Sequence, residues 1–136
     1  MPRVVVSENG GSDYWITVVT LPSVDKALSS SLSKENVDAL ITQLAMDPEM
    51  GTIVPNSGGL RKVRFPCKNA GKSGGLRVIY MYRDLNMPLY LIAAYEKTKK
   101  SRYTERELSA MRSLCTQIVN EHAAQNIRKI NGSWSA

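Results

Sequence analysis

The spacing of apolar and polar positions changes period several times along the chain, and each change marks an element. Tyr14-Trp15-Ile16-Thr17-Val18-Val19-Thr20 is aromatic and β-branched, which predicts a strand. Arg3 to Ser7 predicts a shorter strand before it, with Asn9-Gly10-Gly11 as the turn between them. After Pro22 the period becomes helical. Ser23 is placed to cap a short helix through Leu32, and Ser33 to cap a second one from Lys34 to Met46. In the second, Val37, Leu40, Ile41 and Leu44 fall at i, i+3, i+4 and i+7, a stripe turned to a core. Asp47-Pro48 ends it, because the residue before proline avoids the α region. Three strand-like runs follow, Leu60 to Pro66, Leu76 to Arg83 and Leu89 to Tyr95, and their short connections predict an antiparallel meander. Thr104-Glu105-Arg106-Glu107 has the form of a capping box and opens a long helix, on which Leu108, Met111, Cys115, Ile118 and His122 repeat in steps of three and four. The tail from Asn131 to Ala136 is expected to fray. With no internal repeat and no dividing linker, the expectation is one α+β domain over residues 1–136.

Composition narrows the class. Of 136 residues, 43% are hydrophobic and 22% charged, values of a globular chain that buries a core. The longest unbroken apolar stretch, Leu89 to Tyr95, is far short of the roughly 18 residues of a membrane span. The amino terminus, MPRVVVSENGG, lacks a secretory apolar region, so a cytoplasmic location without membrane association is expected. Cys67 and Cys115 form no CxxC and are accompanied by one histidine, His122, which predicts reduced thiols, no metal site and no cofactor.

The net charge of +6 is unevenly spread. Residues 58–103 contain Arg61, Lys62, Arg64, Lys68, Lys72, Arg77, Arg83, Lys97, Lys99, Lys100 and Arg102 against only Asp84 and Glu96, which makes this segment +9 and the remainder −3. A local positive field of this kind selects a polyanion such as nucleic acid. A plain solvated basic surface is the alternative.

Within Leu60-Arg61-Lys62-Val63-Arg64-Phe65 the two-residue period puts Lys62 and Arg64 on one face and Val63 and Phe65 on the other. If the strand beginning at Leu76 pairs antiparallel with it, Arg77 and the loop residue Lys72 join the two cations. Like charges gathered without nearby carboxylates find their counter-charge in a ligand phosphate; the alternative is that the side chains diverge into water. Asn69-Ala70-Gly71-Lys72-Ser73-Gly74-Gly75 is not a nucleotide-binding P-loop. Pro66 stands where that motif needs its first glycine, and the loop leads into a strand instead of a helix. Tyr80, Tyr82, Tyr90, Tyr95 and Tyr103 offer rings on which bases can stack, with Tyr95 and Tyr103 favoured by their basic neighbours. Glu96 is either a base or the partner of Lys97, and His122 on its apolar stripe is a packing residue before it is a catalyst.

Three segments together resemble the RelE/HigB toxins of bacterial type II toxin–antitoxin modules: Gly58-Gly59-Leu60-Arg61-Lys62-Val63-Arg64-Phe65, Gly71-Lys72-Ser73-Gly74-Gly75-Leu76-Arg77-Val78-Ile79-Tyr80-Met81-Tyr82, and Ala94-Tyr95-Glu96-Lys97. The pattern looks closest to the HigB-like branch, and residues 35–110 share the family's order of elements. The resemblance implies a small RNase-like fold with two amino-terminal helices packed on a small antiparallel sheet, followed by a carboxy-terminal helix. It implies cleavage of messenger RNA on the ribosome, and neutralisation by a cognate antitoxin, often a HigA-like helix-turn-helix protein. Lys62, Arg64 and Arg77 match the positions of the family's phosphate-contacting and catalytic cations. Lys97 matches the basic position after the last strand, and Tyr103 a tyrosine that some members stack on a base. HigB-like members more often carry leucine near Tyr103 and use Lys72 or Tyr95 instead.

That residue set suits metal-independent cleavage of RNA, which needs a base for the 2′-hydroxyl, positive charge for the phosphorane and an acid for the departing 5′-oxygen. Crowding by cations makes an ammonium give up its proton more readily, so Lys62 or Lys72 is the candidate base. Arg64 and Arg77 would stabilise charge, Lys97 would contact phosphate or act as acid, and Arg61, Tyr95 and Tyr103 would bind RNA. Two rivals share the same residues: a non-catalytic nucleic-acid- or ribosome-binding module, and an interaction protein whose basic groove takes an acidic peptide.

Overall fold

The computed structural model describes residues 3–5, 16–66, 75–97 and 102–130, with side chains over 16–124 of these. They form two compact units, Met1–Tyr103 and Thr104–Ala136. The Asn9-Gly10-Gly11 turn, the loop bearing Lys72, and the tail after Ile130 lie outside the described residues.

The first unit holds β1 (Arg3–Val5), β2 (Val18–Thr20), α1 (Pro22–Ser31), α2 (Lys34–Met46), β3 (Thr52–Ile53), β4 (Leu60–Phe65), β5 (Leu76–Met81) and β6 (Leu89–Glu96). These strands make one sheet in the order β1-β2-β6-β5-β4-β3. The meander β4-β5-β6 is antiparallel, as are β1-β2 and β3-β4. The pair β2-β6 is parallel, Val18 opposite Leu89 and Thr20 opposite Leu91. Two helices separate these strands in the chain, room enough for the crossover that a parallel pair requires.

Both helices obey local rules, one of them differently from expectation. Ser33 caps α2 as expected, its Oγ accepting from the Asn36 N–H at 3.2 Å. Helix α1 does not use Ser23 as its cap: Leu21 is the capping position, without a side-chain bond, and Pro22 occupies the first turn, where its missing N–H costs nothing. Val24, Leu28 and Leu32, with Val37, Leu40, Ile41, Leu44 and Ala45, join Val18, Leu89, Leu91, Val63, Leu76, Val78 and Tyr80 in one buried cluster. The amphipathic stripes of both helices therefore cover one sheet face, and that burial supplies most of the unit's stability.

The second unit is built on α3 (Glu105–Ile130). Its capping box is complete: Thr104 N–H donates to Glu107 Oε1 at 2.8 Å and Glu107 N–H donates to Thr104 Oγ1 at 3.1 Å. Among the described residues no helix is long and apolar enough to cross a membrane.

Candidate functional site

The turn between β3 and β4 sets which residues of β4 face the helices. Asn56, Gly58 and Gly59 adopt positive φ values of 59°, 75° and 103°. Ser57 Oγ donates to Val54 O and accepts from Leu60 N–H at 3.0 Å, while Val54 N–H donates to Leu60 O at 2.8 Å. From there the strand alternates. Val63 and Phe65 lie opposite Val78 and Leu76 on the helix-covered face. Lys62 and Arg64 take the other face, with Arg64 directly opposite Arg77.

A bulge in β6 extends this row. Ile79 pairs with Ala93 but Tyr80 pairs with Leu91, so one residue of β6 is supernumerary. Strict alternation from Leu89 and Leu91, both in the core, would have sent Tyr95 under the helices. The extra residue reverses the phase. Ala94 packs on the core, Glu96 accepts a hydrogen bond from Ser31 Oγ of α1 at 2.8 Å, and Tyr95 falls opposite Arg77 on the face of Lys62 and Arg64. Arg64, Arg77 and Tyr95 thus form one cross-strand row.

The row is tightened at Gly75. The point that a Cβ on Gly75 would occupy lies 3.4 Å from Arg64 Nε, 3.4 Å from Arg77 Nη1 and 3.3 Å from Phe65 O. Two guanidinium nitrogens that share one near point are separated by at most twice that distance. Lys97 is joined to the same spot, its N–H donating to Gly75 O at 3.0 Å. At the other end of the row, the rings of Tyr95 and Tyr103 meet edge to face with centroids 4.7 Å apart and planes at 80°. Lys62, Arg64 and Lys97 are exposed; Arg77, Tyr95 and Tyr103 are half-buried.

Of the residues singled out in the sequence, Arg64, Arg77, Tyr95 and Tyr103 are brought together, with Lys97 at the strand end and Lys62 two positions from Arg64 on the same face. Lys72 lies outside the described residues. Arg61 is set apart on the other face. Its Nη1 donates to Gly51 O at 2.8 Å and Glu49 O at 3.2 Å, and its Nη2 lies 3.6 Å from the Glu49 carboxylate. Glu96, a candidate base, is turned to Ser31 and away from the row. Tyr80 offers no ring for stacking: it is fully buried, its hydroxyl donating to Pro48 O at 2.8 Å and accepting from Gly51 N–H at 2.9 Å. Burial pushes the Tyr80 phenol above its ordinary 10.0. His122 belongs to the second unit. Gly75 was missed as a site residue in its own right; the closeness of two cations around it exists only after the strands pair.

Chemically, the row joins two planar five-donor cations to a pair of aromatic rings. Guanidinium forks can grip phosphate oxygens in two-point fashion, and exposed ring edges and faces can accept stacked bases.

A family model described as the RelE toxin of the RelE/RelB toxin–antitoxin system matches residues 25–133. Among solved structures, the chain is similar to a mutant of the E. coli toxin RelE in the free state, with 12% identity, a TM-score of 0.48, and coverage of 65% of this chain and 88% of that one.

Proposed function

From the premise that the chain belongs to the RelE toxin family, and is thus a toxin of a toxin–antitoxin system, we propose that it is a ribosome-dependent messenger RNA endonuclease. The observation that carries this reading is the cross-strand pair Arg64–Arg77 closing on Gly75, beside the Tyr95–Tyr103 pair. A scissile phosphate held by both arginines gains positive charge where the phosphorane develops, and that charge is worth most in a site partly shielded from water. An adjacent base stacked on Tyr95 or Tyr103 fixes the strand along the row.

Lys62, exposed and on the same face as Arg64, is the proposed base for the 2′-hydroxyl, with Lys72 as the alternative. Lys97 protonates the leaving 5′-oxygen or holds a flanking phosphate. The proposed chemistry is metal-independent because the side chains of the row are cations and phenols, which bind the anion directly. So sparse an acid–base set relies on the ribosome to align the 2′-oxygen, a positioning contribution of the kind that converts a poor encounter into a reactive geometry. The triple sequence motif supports placement in the HigB-like branch, a helix-turn-helix antitoxin as partner and action in the cytoplasm.

The test is to map messenger RNA 5′ ends in a translating extract after adding the purified protein. The expected result is new ends within ribosome-bound coding sequence, the downstream fragment carrying a 5′-hydroxyl and the upstream one a 2′,3′-cyclic phosphate or its hydrolysis product, as attack by the 2′-oxygen requires. Folded protein that binds ribosomes and produces no new ends would mark it as a binding module. Downstream fragments carrying a 5′-phosphate, with a 3′-hydroxyl on the upstream piece, would contradict attack by the 2′-oxygen.

A further inference from the structure

The buried side of α1 carries a polar residue. Val24, Leu28 and Ser31 follow one another at i, i+4 and i+7 and are the buried residues of that helix. An apolar side chain would continue the stripe; instead a hydroxyl stands there, in a residue 6% exposed, and a buried hydroxyl needs a partner. Its partner is Glu96 Oε2, at 2.8 Å and 65 residues further along the chain. Glu96 is equally out of place. It closes β6 opposite Leu76, a core residue, so the strand sends a carboxylate to the helix-covered side. Neither polar group is called for by its own element, and a charge-assisted hydrogen bond joins them.

The bond lies just past the bulge in β6, where the phase of the strand is decided. Without the extra residue, the alternation of Leu89 and Leu91 would continue to put Tyr95 under the helices and Glu96 on the face of Arg64 and Arg77. Two guanidinium groups would attract the carboxylate there, so the unbulged phase has a favourable contact of its own. We propose that Ser31 is a positioning residue for the row: by holding the Glu96 carboxylate on the helix-covered side of β6, it keeps that carboxylate off Arg64 and Arg77 and keeps Tyr95 beside them. The consequence for ligand binding rests on the nucleic-acid reading of the same face, since an RNA phosphate then meets the two arginines without competition from Glu96.

The experiment compares the parent chain with Ser31→Ala, Glu96→Gln, the double variant Ser31→Ala/Glu96→Gln, and Tyr80→Phe as a destabilised control away from the row. Alanine is the better helix former, so Ser31→Ala keeps α1. Two quantities are read besides thermal melting: the NMR cross-relaxation between the Tyr95 and Tyr103 rings, whose centroids are 4.7 Å apart, and the binding of a short 2′-O-methylated RNA, which cannot be cleaved, by fluorescence anisotropy. Ser31→Ala is expected to lose the inter-ring signal and to bind RNA about tenfold more weakly. Glu96→Gln, whose amide oxygen still accepts from Ser31, is expected to keep the signal and to bind within about twofold of the parent. Adding Glu96→Gln to Ser31→Ala should restore the signal and bring binding to within about threefold of the parent, because a neutral amide is not drawn to the arginines. Tyr80→Phe should melt lower and keep both. Ser31→Ala with signal and affinity intact, a double variant as weak as Ser31→Ala, or loss of the signal in Tyr80→Phe overturns the proposal. A parent that binds no RNA while the ring signal responds as stated keeps this inference and loses the nucleic-acid reading; RNA binding that is the same in the parent and Ser31→Ala does the reverse.

Discussion

Arg61 and Arg64 are three residues apart on one strand, and the sheet uses them in opposite ways. Around Arg61, the chain itself provides the acceptors: two carbonyl oxygens, Glu49 and Gly51, and the Glu49 carboxylate. Next to it, Tyr80 bridges Pro48 and Gly51, and Gly51 is buried. A Cβ there would stand 2.8 Å from Tyr80 Oη and 2.9 Å from Lys62 O. Arg64 instead faces another cation across the ladder, over a glycine whose surroundings leave 3.3 to 3.4 Å. The first region is a brace fastening the short edge strand β3 to the sheet; in the second, two guanidinium groups converge around one glycine. Positive charge alone distinguishes neither region. What differs is what strand pairing sets beside the guanidinium group: the carbonyl oxygens before β3 for Arg61, a second guanidinium group for Arg64.

The largest expected effect follows directly. Arg64→Ala or Arg77→Ala should lower cleavage on the ribosome by about 10²–10³-fold with little change in melting, the size seen when a charge-stabilising donor is removed from a reaction centre. Arg61→Ala should do the converse, costing about 1–3 kcal/mol of stability in urea titration while folded protein cleaves at the parental rate. Equal loss of cleavage in all three would erase the distinction.

Next, Gly51→Ala forces Tyr80 Oη or the Lys62 carbonyl to move, and should cost about 1–3 kcal/mol of stability with cleavage by the folded fraction intact. Tyr80→Phe strands the Gly51 N–H and the Pro48 carbonyl and should cost about 1–2 kcal/mol. It also carries a pH signature. Burial first, and the nearby Asp47 and Glu49 carboxylates after it, raise the folded Tyr80 phenol above 10.0, against the Gly51 N–H and Arg61. The unfolded chain therefore releases this proton first. Stability is complete below pH 10 and falls as pH climbs through the folded value, and Tyr80→Phe should make that decline shallower without abolishing it, because burial raises Tyr82 in the same direction. The smallest effect belongs to the aromatic end. Tyr103→Ala removes an edge-to-face contact worth about 1 kcal/mol and should cut oligonucleotide affinity severalfold, with melting lowered by only a few degrees.

Much of this was legible in the chain, for identifiable reasons. Alternation in Leu60–Phe65 separates Lys62 and Arg64 from Val63 and Phe65 with no knowledge of neighbours, and the stripe on α2 needs only its own spacing. Both caps at Ser33 and Thr104 are local chemistry. The rest depends on pairing. Strand β3 is two residues long and carries no pattern, so the acceptors that claim Arg61 were invisible, and Arg61 looked like one more cation for RNA. The parallel seat of β2 beside β6 is decided by the crossover and not by either strand. The bulge in β6 is the plainest case: Leu-Tyr-Leu-Ile-Ala-Ala-Tyr-Glu contains no proline or glycine to announce it, yet it turns Tyr95 towards Arg77 and Glu96 towards Ser31.

The central claim is that Arg64 and Arg77 hold one phosphate jointly. Single-turnover cleavage on stalled ribosomes by Arg64→Ala, Arg77→Ala and the double variant measures this directly. Residues that grip one group as a unit are strongly non-additive. The account predicts a double variant no more than a fewfold slower than the worse single variant. Losses that multiply across the two substitutions would show each arginine acting on its own and contradict it.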